Sequence, residues 1–282
     1  MEKTMGSKLH LQSSGIPIID KVWGGLYKGA TYVLIGAQNS GRTLMALQFA
    51  KHCVLQGQVC LYFTSMRHTE LFIHAATIDF DMQHYMNKNL IVAIKVSDPF
   101  ISNSEKSYDE VLMDYMSDIA VVVKEHNADK VVFDDLTQFV GFNSMQLLEK
   151  SFINTIESIE SKDKTSLFLL SDPVSENARM ITSKIVDNST GVIYLEKRYG
   201  EENRGIITIT PIVGHPEGKV KANYYLKPYE GISIDFQNEP VSSKYNVDND
   251  MAVSFSSHNT FESNNPDLDI DDDYDFENGR IN

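Results

Sequence analysis

Gly36-Ala37-Gln38-Asn39-Ser40-Gly41-Arg42-Thr43 is the stretch that decides the fold. It has the form G-x-x-x-x-G-K-[ST], with arginine where the form has lysine. Tyr32-Val33-Leu34-Ile35, just before it, is a short apolar run that reads as a buried strand. Behind it, Leu44, Leu47, Ala50 and Val54 fall at helical spacing until Gly57 ends the pattern. A strand, a glycine-bearing loop and a helix start in this order make a cradle for phosphate. The glycines let the backbone fold around phosphate oxygens with its N–H groups pointing inward, and the helix start adds positive potential. Gly36, Ala37, Gln38, Asn39, Ser40, Gly41, Arg42 and Thr43 are therefore candidate phosphate ligands, and the Thr43 hydroxyl is a candidate ligand for Mg²⁺. A side chain at Gly41 is expected to enter the cradle. Arginine at 42 keeps the charge, but it is longer and planar and grips phosphate through a fork. Binding could survive where hydrolysis fails. The competing reading is a glycine-rich turn that holds nothing.

Further along, Val59–Phe63, Val131–Phe133, Leu167–Leu170 and Gly191–Leu195 read as four more buried strands. Between them, one amphipathic helix carries Val111, Leu112, Tyr115, Met116, Ile119, Val122 and Val123. Another carries Phe152, Ile153, Ile156 and Ile159. Strands alternating with helices imply an α/β fold with a mostly parallel sheet flanked by helices. Such sheets place ligands at the carboxyl ends of their strands. The style then changes: Ile206–Val213 and Ala222–Ile234, around Gly214-His215-Pro216-Glu217-Gly218, read as antiparallel strands added to the sheet edge. There is no internal repeat.

After about Asp235 the apolar pattern stops, so the division expected is a nucleotide-binding domain over 1–235 and a disordered acidic tail over 236–282. The chain has 282 residues, 42% of them hydrophobic, enough for one large core. Its net charge of −14 disfavours nucleic acid and anionic lipid as partners. No cluster of Lys and Arg offsets this, and Lys219 with Lys221 are too few. Cys53 and Cys60 have no metal-knuckle spacing and read as reduced thiols. The first twelve residues lack a signal-peptide core and no apolar run reaches membrane-spanning length, so a cytoplasmic protein is expected.

Asp134 follows three apolar residues at a strand end, where a carboxylate would hold Mg²⁺ through water; the alternative is a cap on the next helix. Asp135, beside it, is the candidate catalytic carboxylate. His68, at a strand's carboxyl end, reads either as a ligand contact or as a solvated loop histidine. Asp267, Asp269 and Asp271 begin like a calcium loop, but Asp272 and Asn278 stand where Gly and Glu are needed, which rejects calcium. Tyr274 and Phe276 among the tail's carboxylates read either as a docking peptide for a basic, apolar groove or as part of a solubilising tail.

The chain resembles the KaiC family of the RecA superfamily. Ser14-Gly15-Ile16-Pro17-Ile18-Ile19-Asp20, Gly24-Gly25 and Lys28-Gly29 look like the family's opening motif. Ala46-Leu47-Gln48-Phe49 and Glu230-Gly231-Ile232-Ser233-Ile234 are similar to its later motifs. The resemblance covers roughly residues 10–235. It implies a RecA-like core, ATP or ADP with Mg²⁺, and homo-oligomeric rings, a hexamer among the candidate sizes. It also implies paired glutamates that activate water after the second strand, and a lysine and arginine offered by a neighbouring subunit from a late strand. Those positions hold Met66 and Arg67, and Thr210 and Ile212. Met66 and Arg67 cannot take a proton from water at neutral pH. The loss of a trans-acting arginine alone can cost about 10³-fold.

Three functions compete. The first, preferred, is an ATP-binding regulatory protein with weak or absent hydrolysis, acting through oligomerisation and partner binding. The second is a nucleotide-free scaffold, and the third a RecA-like DNA recombination or repair ATPase.

Overall fold

A computed structural model describes residues 10–96, 106–137, 142–198, 200 and 203–234. The expected acidic tail, 236–282, with Tyr274 and Phe276, lies outside the described residues. In chain order the strands are β1 (Leu11–Gln12), β2 (Leu26–Tyr27), β3 (Thr31–Gly36), β4 (Cys60–Thr64), β5 (Ile91–Lys95), β6 (Lys130–Asp134), β7 (Thr165–Ser171), β8 (Gly191–Lys197), β9 (Arg204–Pro211), β10 (Val220–Lys227) and β11 (Gly231–Ile234). The helices are α1 (Pro17–Val22), α2 (Arg42–Leu55), α3 (His68–Ala76), α4 (Met82–Asn87), α5 (Tyr108–Glu125), α6 (Met145–Glu160) and α7 (Glu176–Asp187).

β3 is buried along its whole length, which its unbroken apolar sequence requires. It lies between β7 and β8, parallel to both. The main sheet runs β11-β10-β9-β8-β3-β7-β6-β4-β5. From β8 to β5 the pairs are parallel; from β8 through β11 they are antiparallel. This is the α/β, RecA-like arrangement expected, with antiparallel strands added at the C-terminal side. No described helix is long and apolar enough to cross a membrane.

Strand alternation divides the core in two. Tyr32 and Leu34 of β3 face a layer with α1, α2, α3 and α4, while Val33 and Ile35 face α5, α6 and α7. Each parallel crossover therefore buries a helix on one face or the other. The structure adds elements the sequence reading passed over, namely α3, α4 and β5 between β4 and α5, and α7 before β8. α3 and α4 are short helices whose buried residues are few, chiefly Leu71, Ala75 and Met82, so their periodicity is faint. Ala222–Ile234 divides into β10 and β11 at Pro228-Tyr229-Glu230, where Tyr229 takes φ +66°. The β9–β10 loop folds back over the amino end of β3: His215 stacks on Trp23 at 4.2 Å and its Nε2 lies 3.0 Å from the Tyr32 hydroxyl.

Candidate functional site

The loop between β3 and α2 turns on two left-handed residues, Asn39 at φ +61° and Gly41 at φ +94°. Gly41 is the N-cap of α2 and has no side chain to cap it, so the first N–H groups of the helix are left for a ligand. A Cβ on Gly41 would meet Leu226 Cδ2 at 2.7 Å and Ile232 Cδ1 at 3.2 Å. This corrects the expectation that a side chain there would enter the cradle: the glycine faces β10 and β11. At Gly36 a Cβ would stand 2.6 Å from Ser40 Oγ, a buried hydroxyl without a protein hydrogen-bond partner.

Parallel pairing brings the carboxyl ends of β3, β7, β6 and β4 side by side, with Gly36 in register with Ser171 and Thr64 with Asp134. Thr43, one residue into α2, donates its hydroxyl to Asp134 Oδ1 at 3.3 Å, and Tyr62 of β4 donates to Asp134 Oδ2 at 2.8 Å. Burial pushes the Asp134 carboxyl up to about 6, and the charge of Asp135 adds to this; the hydrogen bonds from Tyr62 and Thr43 and the Arg42 charge hold it back. The same environment pushes the Tyr62 hydroxyl up, first through burial. The two candidate metal ligands, Thr43 and Asp134, are thus brought together. The Asp134–Asp135 peptide bond is cis.

Arg42 points across the strand ends. Its Nη1 donates to Asp135 Oδ2 at 3.4 Å and its Nη2 to Ser171 Oγ at 3.0 Å. The Thr137 N–H donates to Asp135 Oδ1 at 2.9 Å, and the Ser171 N–H to Thr137 Oγ1 at 3.0 Å. The four residues close a hydrogen-bonded ring, with the Arg42 side chain 13% exposed. Asp135 therefore has both carboxylate oxygens engaged.

Where the resemblance implies paired glutamates, Met66 packs against the core and Arg67 is exposed, 3.7 Å from Glu70. His68 is exposed and opens α3. Thr210 lies near the end of β9, paired with Val192, and Ile212 packs into the core just beyond it.

Several residues of the site escaped the sequence reading. Ser171, Thr137 and Tyr62 are polar groups at strand ends whose partners are set by strand order in space. Tyr224 of β10 donates to the Ser40 carbonyl at 2.8 Å, so the added strands brace the loop itself. Gln48 of α2 accepts from the Ile232 N–H at 2.8 Å and donates to the Ile232 and Glu230 carbonyls at 3.1 and 3.3 Å. It fastens β11 to the helix that begins at the loop. The pairing of ALQF with EGISI was visible as two motifs, but not as one contact.

The family model for the KaiC ATPase matches residues 12–239. Two curated relatives are similar, both from Synechocystis sp. The circadian clock protein KaiC3 is 25% identical over 241 residues, 83% of this chain and 44% of the relative. KaiC2 is 24% identical over 160 residues, 56% of this chain and 26% of that one. The chain thus spans less than half the length of these relatives. Among solved structures, the KaiC-like protein PH0186 of Pyrococcus horikoshii OT3 matches with a TM-score of 0.63 at 19% identity, over 80% of this chain and 99% of that one, which supports the fold.

Proposed function

This chain belongs to the KaiC ATPase family, and from that premise we propose that it binds ATP or ADP with Mg²⁺, hydrolyses ATP slowly, and acts as a regulatory protein through self-association and partners. The residues present fit the nucleotide and the ion. Ser40 Oγ is buried and unpartnered inside the loop, the first turn of α2 has free donors, and Thr43 and Asp134 supply hard oxygen ligands on one spot. Bound Mg²⁺ would supply neutralisation of phosphate charge. The loop would hold phosphate oxygens through its N–H groups, and α2 would add the field of its N-terminus.

The observation that carries slow hydrolysis is the engagement of Asp135. A general base must present an oxygen to a water. Asp135, the candidate base, is held on Arg42 by one oxygen and on the Thr137 N–H by the other, which fixes its orientation toward Arg42 and leaves a water only the remaining lone pairs. Met66 and Arg67 supply no second carboxylate, and Thr210 and Ile212 supply no cation to a neighbouring site. The homo-oligomer, a ring in this proposal, would then serve as a nucleotide-dependent scaffold in the cytoplasm rather than a motor. The acidic segment around Tyr274 and Phe276 would be its docking peptide for a basic protein partner, and nucleic acid is disfavoured by charge.

Calorimetric titration with Mg-ATP and Mg-ADP, followed by a single-turnover assay, tests the reading. Binding with turnover well below about 1 s⁻¹ is the expected result. No binding at millimolar nucleotide would leave the nucleotide-free scaffold, and turnover at or above that rate would overturn the slow-hydrolysis part.

A further inference from the structure

Arg42 is the only cation in the phosphate loop, and the ring of Asp135, Thr137 and Ser171 already holds it. We propose that this ring makes the site selective for a nucleoside diphosphate over a triphosphate, with Asp135 the positioning residue that keeps Arg42 from the terminal phosphate. The inference rests on the nucleotide-binding reading above and concerns which nucleotide is favoured.

In loops of this form the backbone N–H groups cradle the α- and β-phosphates, and the conserved cation position reaches the β- and γ-phosphates. Here those two tasks are separated. The backbone donors and the start of α2 are available, whereas the guanidinium is spent on Asp135 and Ser171. A diphosphate can use the cradle with the ring intact. A triphosphate faces a choice. Opening the ring loses a charge-assisted bond at Asp135 and a bond at Ser171, and leaves the Asp135 carboxylate, 28% exposed, bare beside an anion. Leaving the ring closed forgoes the cation and brings the γ-phosphate toward a pair whose charges already cancel. Arg42 is 13% exposed, so solvent screens this pair less than it would a surface one. Arginine's planar fork reaches Asp135, just past β6, and Ser171, at the end of β7, through two separate nitrogens where lysine has a single one, which ties the inference to the residue that departs from the loop's usual form.

The test uses the full chain with Mg²⁺ and two probes, ADP and the imido analogue of ATP, whose bond is not cleaved. Affinities are measured by calorimetry for wild type, Asp135→Asn and Ser171→Ala, with melting curves as a check of folding. Wild type should bind ADP about tenfold or more tighter. Both variants should narrow that ratio by about threefold or more through tighter analogue binding, with ADP affinity changing less than about twofold. Ser171→Ala keeps the test standing if Asp135→Asn does not fold. Equal affinity or a triphosphate preference in wild type would overturn the inference, as would an unchanged ratio in the folded variants. A collapse of turnover in Asp135→Asn at an unchanged ratio would make Asp135 the general base and overturn its positioning role. If wild type binds neither probe, the nucleotide-binding reading itself falls.

Discussion

Replacing Asp134 by asparagine should stabilise the nucleotide-free protein while removing its response to Mg²⁺. Asp134 is 5% exposed and its pKa is lifted from the ordinary 3.8 to about 6, first by burial. At about 1.4 kcal/mol for each pH unit, keeping it charged costs the fold about 3 kcal/mol. Asparagine is nearly isosteric and keeps the local bonds: its oxygen can accept from Tyr62 and its amide can donate to Thr43 Oγ1. The sign follows from the raised value. Below pH 3.8 the acid is protonated in both states and the cost is absent. It grows as pH rises from 3.8 to about 6 and is constant above. Chemical denaturation should therefore show Asp134→Asn more stable by about 2–3 kcal/mol at pH 7.5, with the gap closing toward pH 4. In the same assay Mg²⁺ should add to the stabilisation that nucleotide gives wild type and add nothing to that of the variant. Equal stability at pH 7.5, or a gap that does not change with pH, would refute the argument that the buried charge is held at a cost.

Three further outcomes follow from single contacts. Gly41→Ala must take φ +94° and press on Leu226, so it should destabilise by about 1–2 kcal/mol in denaturant and weaken nucleotide binding by calorimetry. Gln48→Ala removes three hydrogen bonds to β11 and should cost about 1–3 kcal/mol; hydrogen exchange at the Ile232 amide should accelerate more than at β7, and equal exchange would mean that β11 is held by other contacts. His215 is buried, its Nδ1 lacks a protein partner, and burial lowers its pKa, so protonation opposes folding. Between pH 7.5 and 5.5 His215 loses stability as pH falls while Asp134 gains it, so the His215→Phe melting temperature, with the ring still stacked on Trp23, should rise relative to wild type as pH falls across that range; a constant difference would refute the role of His215.

Much of the fold was legible in the chain because its signals are local. β3 and the loop after it announce themselves by an unbroken apolar run meeting glycines, and α5 and α6 by a clear 3.6-residue stripe. α3 and α4 were not, since a short helix that buries only one or two side chains leaves little pattern; α7 carries Ala178, Ile181, Ile185 and Val186 at helical spacing, a signal the sequence reading passed over. For the site, the sequence by itself determined the chemistry present: the glycines that let the loop turn, the Thr43 hydroxyl, the paired carboxylates Asp134 and Asp135, the arginine at 42, and Met66 and Arg67 where the family resemblance implies carboxylates. These are facts of residue type and of distance along the chain. The tertiary structure alone decided what each group does with its bonds. Sheet order placed β7 beside β3 and β6 beside β7, and so closed Arg42, Asp135, Thr137 and Ser171 into a ring that no spacing could reveal. It also turned Gly41 toward Leu226 and Ile232 and set Tyr224 and Gln48 against the loop and its helix. A hydrogen bond depends on separation in space to within a few tenths of an ångström, and for residues 34 to 184 positions apart that separation is fixed by how the strands pack.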